Sequence, residues 1–284
     1  MTASVAQQAL VDLSGKIVLV TGGTSGLGRE TVLTMADAGA TVVFSGRNVA
    51  GAEQTLAELA VAGASAEFVA QDTTSEADWE RVVTHSIETH GRLDVLVNNA
   101  GAARLKPIAD LSVADVEFLL AVNVTGMYLG IRHAFRCMDS YSDGRGSIIN
   151  ISALNALRGS PNSTAYALAK GGTTQLARAA AIEGRLRGRA IRVNSIHPGV
   201  LFRDGDKPSA GAIALYGLAG AEAFVRSNIA TVPLGRLGHP RDIGRAVAFL
   251  ASDMAYHITG AEICVDGGRS AGEFGTHHGV PSKR

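Results

Sequence analysis

Lys16-Ile17-Val18-Leu19-Val20-Thr21-Gly22-Gly23-Thr24-Ser25-Gly26-Leu27-Gly28 sets the terms on which the rest of the chain is read. Lys16 to Val20 is a short β-branched run near glycines, which predicts a buried strand. Arg29 to Ala38 then takes helical spacing and stops at Gly39. A glycine-rich turn between strand and helix is a phosphate site: the backbone approaches a pyrophosphate closely, and the helix N-terminus offers unpaired N–H groups and a positive dipole end. Glycine turns begin many helices, so this one gains weight only from the elements downstream of it.

Those elements alternate. Strands are expected at 41–45, 66–70, 94–97, 147–151, 191–196 and 262–265. Helices are expected at 49–62, 76–89, 115–138, 166–187 and 241–251. Repeated βα units predict an α/β fold, a single Rossmann-type, doubly wound parallel sheet with helices on both faces. No linker or repeat divides the chain, so residues 1–284 are expected to form one dinucleotide-binding and catalytic domain. Within it, 1–14 reads as a leader, about 200–232 as a lid of short helices over a substrate, and 270–284 as a tail.

Composition excludes other classes. The 26 basic residues balance 26 acidic ones, which gives no reason to expect a nucleic-acid or membrane partner. The start lacks the basic and apolar regions of a secretory signal, and no uninterrupted apolar run is long enough to span a bilayer. Two distant cysteines, Cys137 and Cys264, fit a reducing, cytoplasmic setting better than a disulfide framework.

Chemistry enters with Ser163-Thr164-Ala165-Tyr166-Ala167-Leu168-Ala169-Lys170. Tyr and Lys four apart on a helix project from one face. An ammonium beside a phenol favours its ionised form and lowers its pKa, so that Tyr166 can exchange a proton with an alcohol or carbonyl oxygen. The spacing also recurs by chance on amphipathic helices; the dinucleotide site upstream is what gives it meaning.

Nucleotide choice is read at the end of the second strand, where an acidic residue would bond the free 2′-hydroxyl of the adenosine ribose and repel a 2′-phosphate. Here Gly46 is followed by Arg47, whose planar donors suit phosphate, so NADP(H) is expected over NAD. The competing reading is that Arg47 only solvates the start of a helix.

Together these pieces resemble the short-chain dehydrogenase/reductase family over roughly residues 12–269. The matching motifs are Thr21-Gly22 through Gly28, Asp72, Asn98-Asn99-Ala100-Gly101, Asn123, Tyr166 with Lys170, Pro198-Gly199 and Val265-Asp266-Gly267-Gly268. The resemblance implies hydride transfer between a nicotinamide and a secondary alcohol or ketone, with Tyr166 as acid and base. It implies that Lys170 holds the nicotinamide ribose and tunes Tyr166, and that Asn123 breaks its helix locally and anchors a water in a proton relay. The cofactor residues it implies are Gly22, Thr24, Ser25, Gly26, Leu27 and Gly28, then Ser45, Arg47, Asn48, Asp72 and Thr73. To these it adds Asn99, Ala100, Gly101, Tyr166, Lys170, Pro198, Gly199 and Val200. It further implies a homo-oligomer, dimer or tetramer, paired through the long helix and the helix carrying Tyr166.

Two departures stand out. The family serine thirteen residues before the tyrosine is Ala153 here. Ser152 replaces it only if the backbone bulges, since neighbouring strand residues face opposite ways; Asn155 is another substitute. An engineered change, a slow enzyme and a catalytically silent NADP(H)-binding sensor are the remaining explanations. Beyond Pro198-Gly199 the chain reads Val200-Leu201-Phe202-Arg203 where members often carry a threonine. His277-His278 is read as a solvated pair and no metal site is expected. His197 is expected to be a hydrogen-bonded structural residue, and Trp79 with its acidic neighbours to mark a helix start and its exposed face. The Ala/Leu/Ile/Phe-rich lid suggests a largely apolar substrate.

Overall fold

The computed structural model describes residues 11–186, 189–203, 207 and 210–272. Residues 1–10 of the leader, 204–206 and 208–209 of the expected lid, and 273–284 of the tail with His277 and His278 lie outside the described residues.

Seven strands form one sheet: β1 (Ile17–Thr21), β2 (Thr41–Gly46), β3 (Ala66–Ala70), β4 (Val95–Asn98), β5 (Arg145–Ile151), β6 (Ala190–Pro198) and β7 (Glu262–Val265). Their order is β3-β2-β1-β4-β5-β6-β7, and every neighbouring pair is parallel. Chain direction across the sheet reverses between β1 and β4, which opens a crevice at their carboxyl ends, where α/β sheets bind ligands.

Strand alternation sorts the core into two layers. Val18 and Val20 of β1, with Val42, Phe44, Val97 and Ile149, meet Val32 and Met35 of α1 (Gly26–Asp37) and Ile243, Val247 and Leu250 of α8 (Pro240–Ala251). Leu59 of α2 (Val49–Val61) joins the same layer. On the other face, Leu19, Val43, Leu96 and Ile148 meet Trp79 and Val82 of α3 (Glu76–His90). Completing that face are Met127, Ala134 and Met138 of α5 (Gly126–Tyr141) and Ala177 and Ala180 of α6 (Thr164–Leu186). The expected helix start stands, with Ser75 as N-cap and Glu76 and Asp78 in the first turn, but Trp79 is a core residue and not on the exposed face: its indole Nε1 donates to the Thr73 carbonyl at 2.9 Å.

The helix expected at 115–138 is a composite of α4 (Val113–Leu120), a π-helical turn over Ala121–Thr125, and α5. Val113–Tyr141 is long and apolar enough to cross a membrane by length and composition, although charged residues such as Asp115 and Glu117 interrupt it. Its buried side chains pack on the sheet and on α3 and α6, which makes it a core helix of this fold. Ser112 and Asp115 start it with a reciprocal capping box, and Arg104 and Lys106 both pair with Asp115. In the expected lid, α7 (Ala210–Ile229) is two helical pieces joined at Gly217, whose φ of 69° is open to glycine at little cost.

Candidate active site

At the end of β1 the chain turns through Gly22 with φ of +70°. A Cβ at Gly28 would collide with the Gly22 carbonyl oxygen and the Asn99 amide. The loop is thus a backbone cradle that closes only with glycine at this crossing. Ser25 is the N-cap of α1, yet its side chain makes no cap hydrogen bond, so the first-turn amides keep their capacity for an anion. The Thr21 hydroxyl accepts from the Asn99 and Ala100 amides at 3.1 and 3.0 Å, and Asn99 Nδ2 donates to the Thr21 carbonyl at 2.9 Å. These bonds lock the ends of β1 and β4 against each other on either side of the switch point.

Beyond β2 and β3, Gly46, Arg47, Asn48, Gln71, Asp72 and Thr73 line the same cavity. Asn48 caps α2 by accepting from the Gly51 amide at 3.0 Å. Arg47 is exposed, with Nη1 3.8 Å from Asp72 Oδ2. No acidic side chain stands at 46, and a Cβ there would approach Thr24 Cγ2 to 2.8 Å. Ser45 departs from its expected place: it is fully buried and its hydroxyl donates to Gln71 Oε1 at 2.5 Å, so it faces the sheet interior and not the cavity.

At the opposite end, Tyr166, Lys170 and the π-helical turn converge. Lys170 is buried, donates Nζ to the Ile151 carbonyl at 2.8 Å, and lies 5.9 Å from the centre of the Tyr166 ring. Asn123 is fully buried at the middle of the π turn. Its Nδ2 donates to the carbonyls of Ala102 at 2.9 Å and Leu119 at 3.0 Å, and its Oδ1 accepts from the Ala102 amide at 3.2 Å. The side chain thereby ties the π turn to the Leu119 carbonyl one turn earlier and to the backbone at Ala102. A Cβ at Gly101 would reach both Asn123 Oδ1 (2.9 Å) and Lys170 Nζ (3.4 Å), so the Gly101 backbone runs between the two. Pro198, Gly199 and Val200 border this end, with the Gly199 amide bonded to the Val265 carbonyl at 3.1 Å.

Ala153 lines the cavity beside Tyr166 and offers no hydroxyl there. Ser152 does not stand in for one. Its hydroxyl points to α6, donating to the Lys170 carbonyl at 3.1 Å within a cluster that includes Thr173 and Thr174. No bulge turns it: β5 runs regularly to Ile151, and the Ser152 amide continues the ladder to the Ile196 carbonyl at 2.8 Å. Asn155 lines the cavity but commits Nδ2 to the Ser163 hydroxyl at 2.9 Å. His197 is fully buried behind the site, with Nδ1 against the Ala153 carbonyl, as expected of a hydrogen-bonded structural histidine.

Electrostatics differ from the sequence expectation. Burial raises the Tyr166 pKa above its ordinary value, and Lys170 contributes no resolved lowering. Burial likewise depresses Lys170, to about 8. Desolvation therefore dominates the pair, each group being held toward its neutral form.

One continuous cavity of about 660 Å³ joins the glycine cradle to Tyr166. It gathers every expected cofactor residue except Ser45, and it also gathers Gln71, Leu154 and Arg269, which motif reading misses. Leu154 sits on a 3-10 turn (Leu154–Ala156), and Arg269 follows a glycine pair, so neither carries a periodic signal. Among the described residues, no three His, Cys, Asp or Glu side chains group as metal ligands.

A reversed parallel sheet with a glycine cradle and a Tyr/Lys pair in one cleft defines a nucleotide-dependent oxidoreductase. The family model described as enoyl-(acyl carrier protein) reductase matches residues 22–270. The chain is 35% identical over 259 residues to a cyclopentanol dehydrogenase of Comamonas sp., covering 91% of this chain and 98% of that one. It is 34% identical over 260 residues to an NADP-dependent (R)-specific alcohol dehydrogenase of Lentilactobacillus kefiri, covering 91% and 98%. A crystal structure described as a candidate gluconate dehydrogenase from Agrobacterium tumefaciens superposes with a TM-score of 0.81 at 31% identity, covering 92% of this chain and 98% of that one. The protein belongs to the short-chain dehydrogenase/reductase family and is an oxidoreductase acting on CH–OH groups.

Proposed function

We propose that the protein interconverts a secondary alcohol and a ketone with NADP(H). The observation that carries this reading is the single cleft running from Arg47 to Tyr166, with the glycine cradle between them. A bound nicotinamide supplies or takes the hydride. Tyr166 gives or takes the proton at the substrate oxygen. Lys170, buried beside the phenol and anchored to Ile151, holds the ribose and steadies the tyrosine's proton. Asn123 acts as a positioning residue, because its amide is fully engaged in holding Ala102 and the π turn. Ser152 is left out of the set, since its hydroxyl serves the Lys170 carbonyl.

NADP(H) is favoured by Arg47 at the ribose end, by the absence of a carboxylate at 46, and by the cofactor for which the Lentilactobacillus relative is named. Asp72, paired with Arg47 at 3.8 Å, borders the adenine side. The same reading makes the chain one catalytic domain, with 200–232 as a lid. It places the protein in the cytoplasm and pairs copies as a dimer or tetramer through exposed apolar residues of α5 and α6, such as Tyr128, Leu168 and Ile182. Ala153 favours a second reading, an NADP(H)-binding sensor without turnover. A panel of ketones and alcohols assayed with both nucleotides in both directions separates them. NADPH-dependent turnover supports the enzyme; tight NADPH binding with no turnover of any panel member supports the sensor.

A further inference from the structure

Arg269 lines the same cavity as Ala153, Leu154, Asn155 and Tyr166. It is a held side chain. Its Nη1 donates to Asn228 Oδ1 at 2.9 Å, and Asn228, itself buried on α7, donates Nδ2 to the Phe224 carbonyl at 2.8 Å. The Arg269 carbonyl is fixed in turn by Arg158 Nη1 at 2.8 Å. Among the described residues the guanidinium nevertheless has no ion-pair partner. Nε is buried with no hydrogen-bond partner. Asp266 accepts from the amides of Gly268 (2.9 Å) and Ser270 (2.7 Å) and stays outside ion-pair distance.

Treatment of the arginines drawn into this fold varies. Arg192, like Arg269, keeps a buried guanidinium nitrogen without a partner and forms no ion pair among the described residues, its Nη2 donating to the Ser252 carbonyl. Arg29 pairs with Glu58, Arg92 with Asp94 and Arg178 with Glu262. A half-buried guanidinium outside any ion pair is costly; burial and the charge of Arg158 press the Arg269 pKa down, and the charge of Asp266 opposes them only in part. With Nη1 on Asn228 and Nε buried, Nη2 is the guanidinium nitrogen left to receive an anion through a charge-assisted N–H···O bond. Around it, Leu154, Val200 and Leu201 supply apolar wall.

We propose that the substrate carries a carboxylate seated on Arg269, with an apolar body between that group and the reacting carbon at Tyr166. This rests on the oxidoreductase reading above and narrows it: the substrate class is a hydroxy- or oxo-carboxylic acid. Asn228 makes α7 part of the recognition, since the lid helix orients the guanidinium.

The test is calorimetric titration of NADP⁺-saturated protein with cyclohexanecarboxylate and with the neutral cyclohexanecarboxamide. Carboxylate is expected to bind at least about ten-fold more tightly, the scale of one charge-assisted pair. Arg269→Met is expected to bring the ratio to about one, and Arg269→Lys to keep part of it. Equal affinities in the starting protein, no binding of either ligand, or an unchanged ratio in Arg269→Met overturns the proposal. So does competition between carboxylate and NADPH, because Arg269 would then serve the nucleotide. If Arg269→Met fails to fold, the ratio in the starting protein and in Arg269→Lys decides. Cyclohexanone reduction by NADPH is measured separately. Turnover without carboxylate preference removes only this inference, whereas carboxylate preference without turnover of any ketone removes only the oxidoreductase assignment.

Discussion

His197 Nδ1 stands 3.0 Å from the Ala153 carbonyl oxygen, and only a protonated Nδ1 can donate that bond. The imidazole thereby fixes the backbone of the residue whose side chain lacks the usual hydroxyl. The position is rigidly presented to the cavity but chemically mute. Ala153→Ser should therefore place a donor where a substrate oxygen is bound and raise kcat for ketone reduction by about 10²-fold. Steady-state kinetics on a ketone that the starting protein already reduces gives the answer. An unchanged kcat means that another group supplies the hydrogen bond.

Tyr166→Phe removes the proton donor while leaving the ring that fills the cavity wall. Turnover should fall by at least about 10²-fold. NADPH affinity, followed by fluorescence, should change little. Survival of turnover would place the acid and base elsewhere.

Burial lifts the Tyr166 phenol above 10.0, so in the ligand-free protein it keeps its proton through the neutral range. Ketone reduction, which draws on that proton, should hold its rate at neutral pH and decline in alkali. Alcohol oxidation, which needs the phenolate, should climb with pH. Initial rates in both directions from neutral to alkaline pH check the opposed slopes; parallel profiles would contradict the assignment.

Lys170 titrates at about 8 in the folded protein against 10.5 for an ordinary lysine. Between those values the unfolded chain holds a proton that the folded chain has released. The contribution of this residue to stability therefore rises with pH across the window and is at its poorest below about 8. Lys170→Met lacks the effect. The Tm of the variant relative to the starting protein should be highest on the acid side of the window and fall toward its alkaline end. A Tm difference independent of pH would show that burial does not perturb this amine.

Arg47→Ala should weaken NADPH binding by about ten-fold or more and leave NADH nearly untouched, because one charged donor to a 2′-phosphate is lost. Titrations with both nucleotides before and after the change measure it. Equal NADPH and NADH affinities in the starting protein would remove the phosphate assignment.

Local chemistry explains which features can be read from residues alone. Val18, Leu19 and Val20 announce a strand because β-branched and apolar neighbours bury both faces of a parallel sheet, and β3 and β7 keep the bounds 66–70 and 262–265. Asn123 is legible because an amide amid Leu119-Leu120-Ala121-Val122 must find partners, which it does at Ala102 and Leu119. Side-chain direction is harder. Ser45 and Ser152 flank the cleft in sequence but turn to Gln71 and to the Lys170 carbonyl, choices made by tertiary neighbours. The sign of the Tyr166 shift also escapes, since Tyr-to-Lys spacing conveys proximity and says nothing of how far water is excluded. Arg269 has no pattern to betray it; only the approach of α7 through Asn228 marks it.

The contact between positions 46 and 24 bears on redesign. A side chain added at 46 meets the Thr24 methyl at 2.8 Å, so an aspartate introduced there to recruit NADH would have to turn or displace the Thr24 side chain of the glycine loop. Swapping coenzymes in this scaffold is thus expected to work best as a paired change, Thr24→Gly together with Gly46→Asp. Mutational libraries that sample the two sites one at a time would not reach that pair.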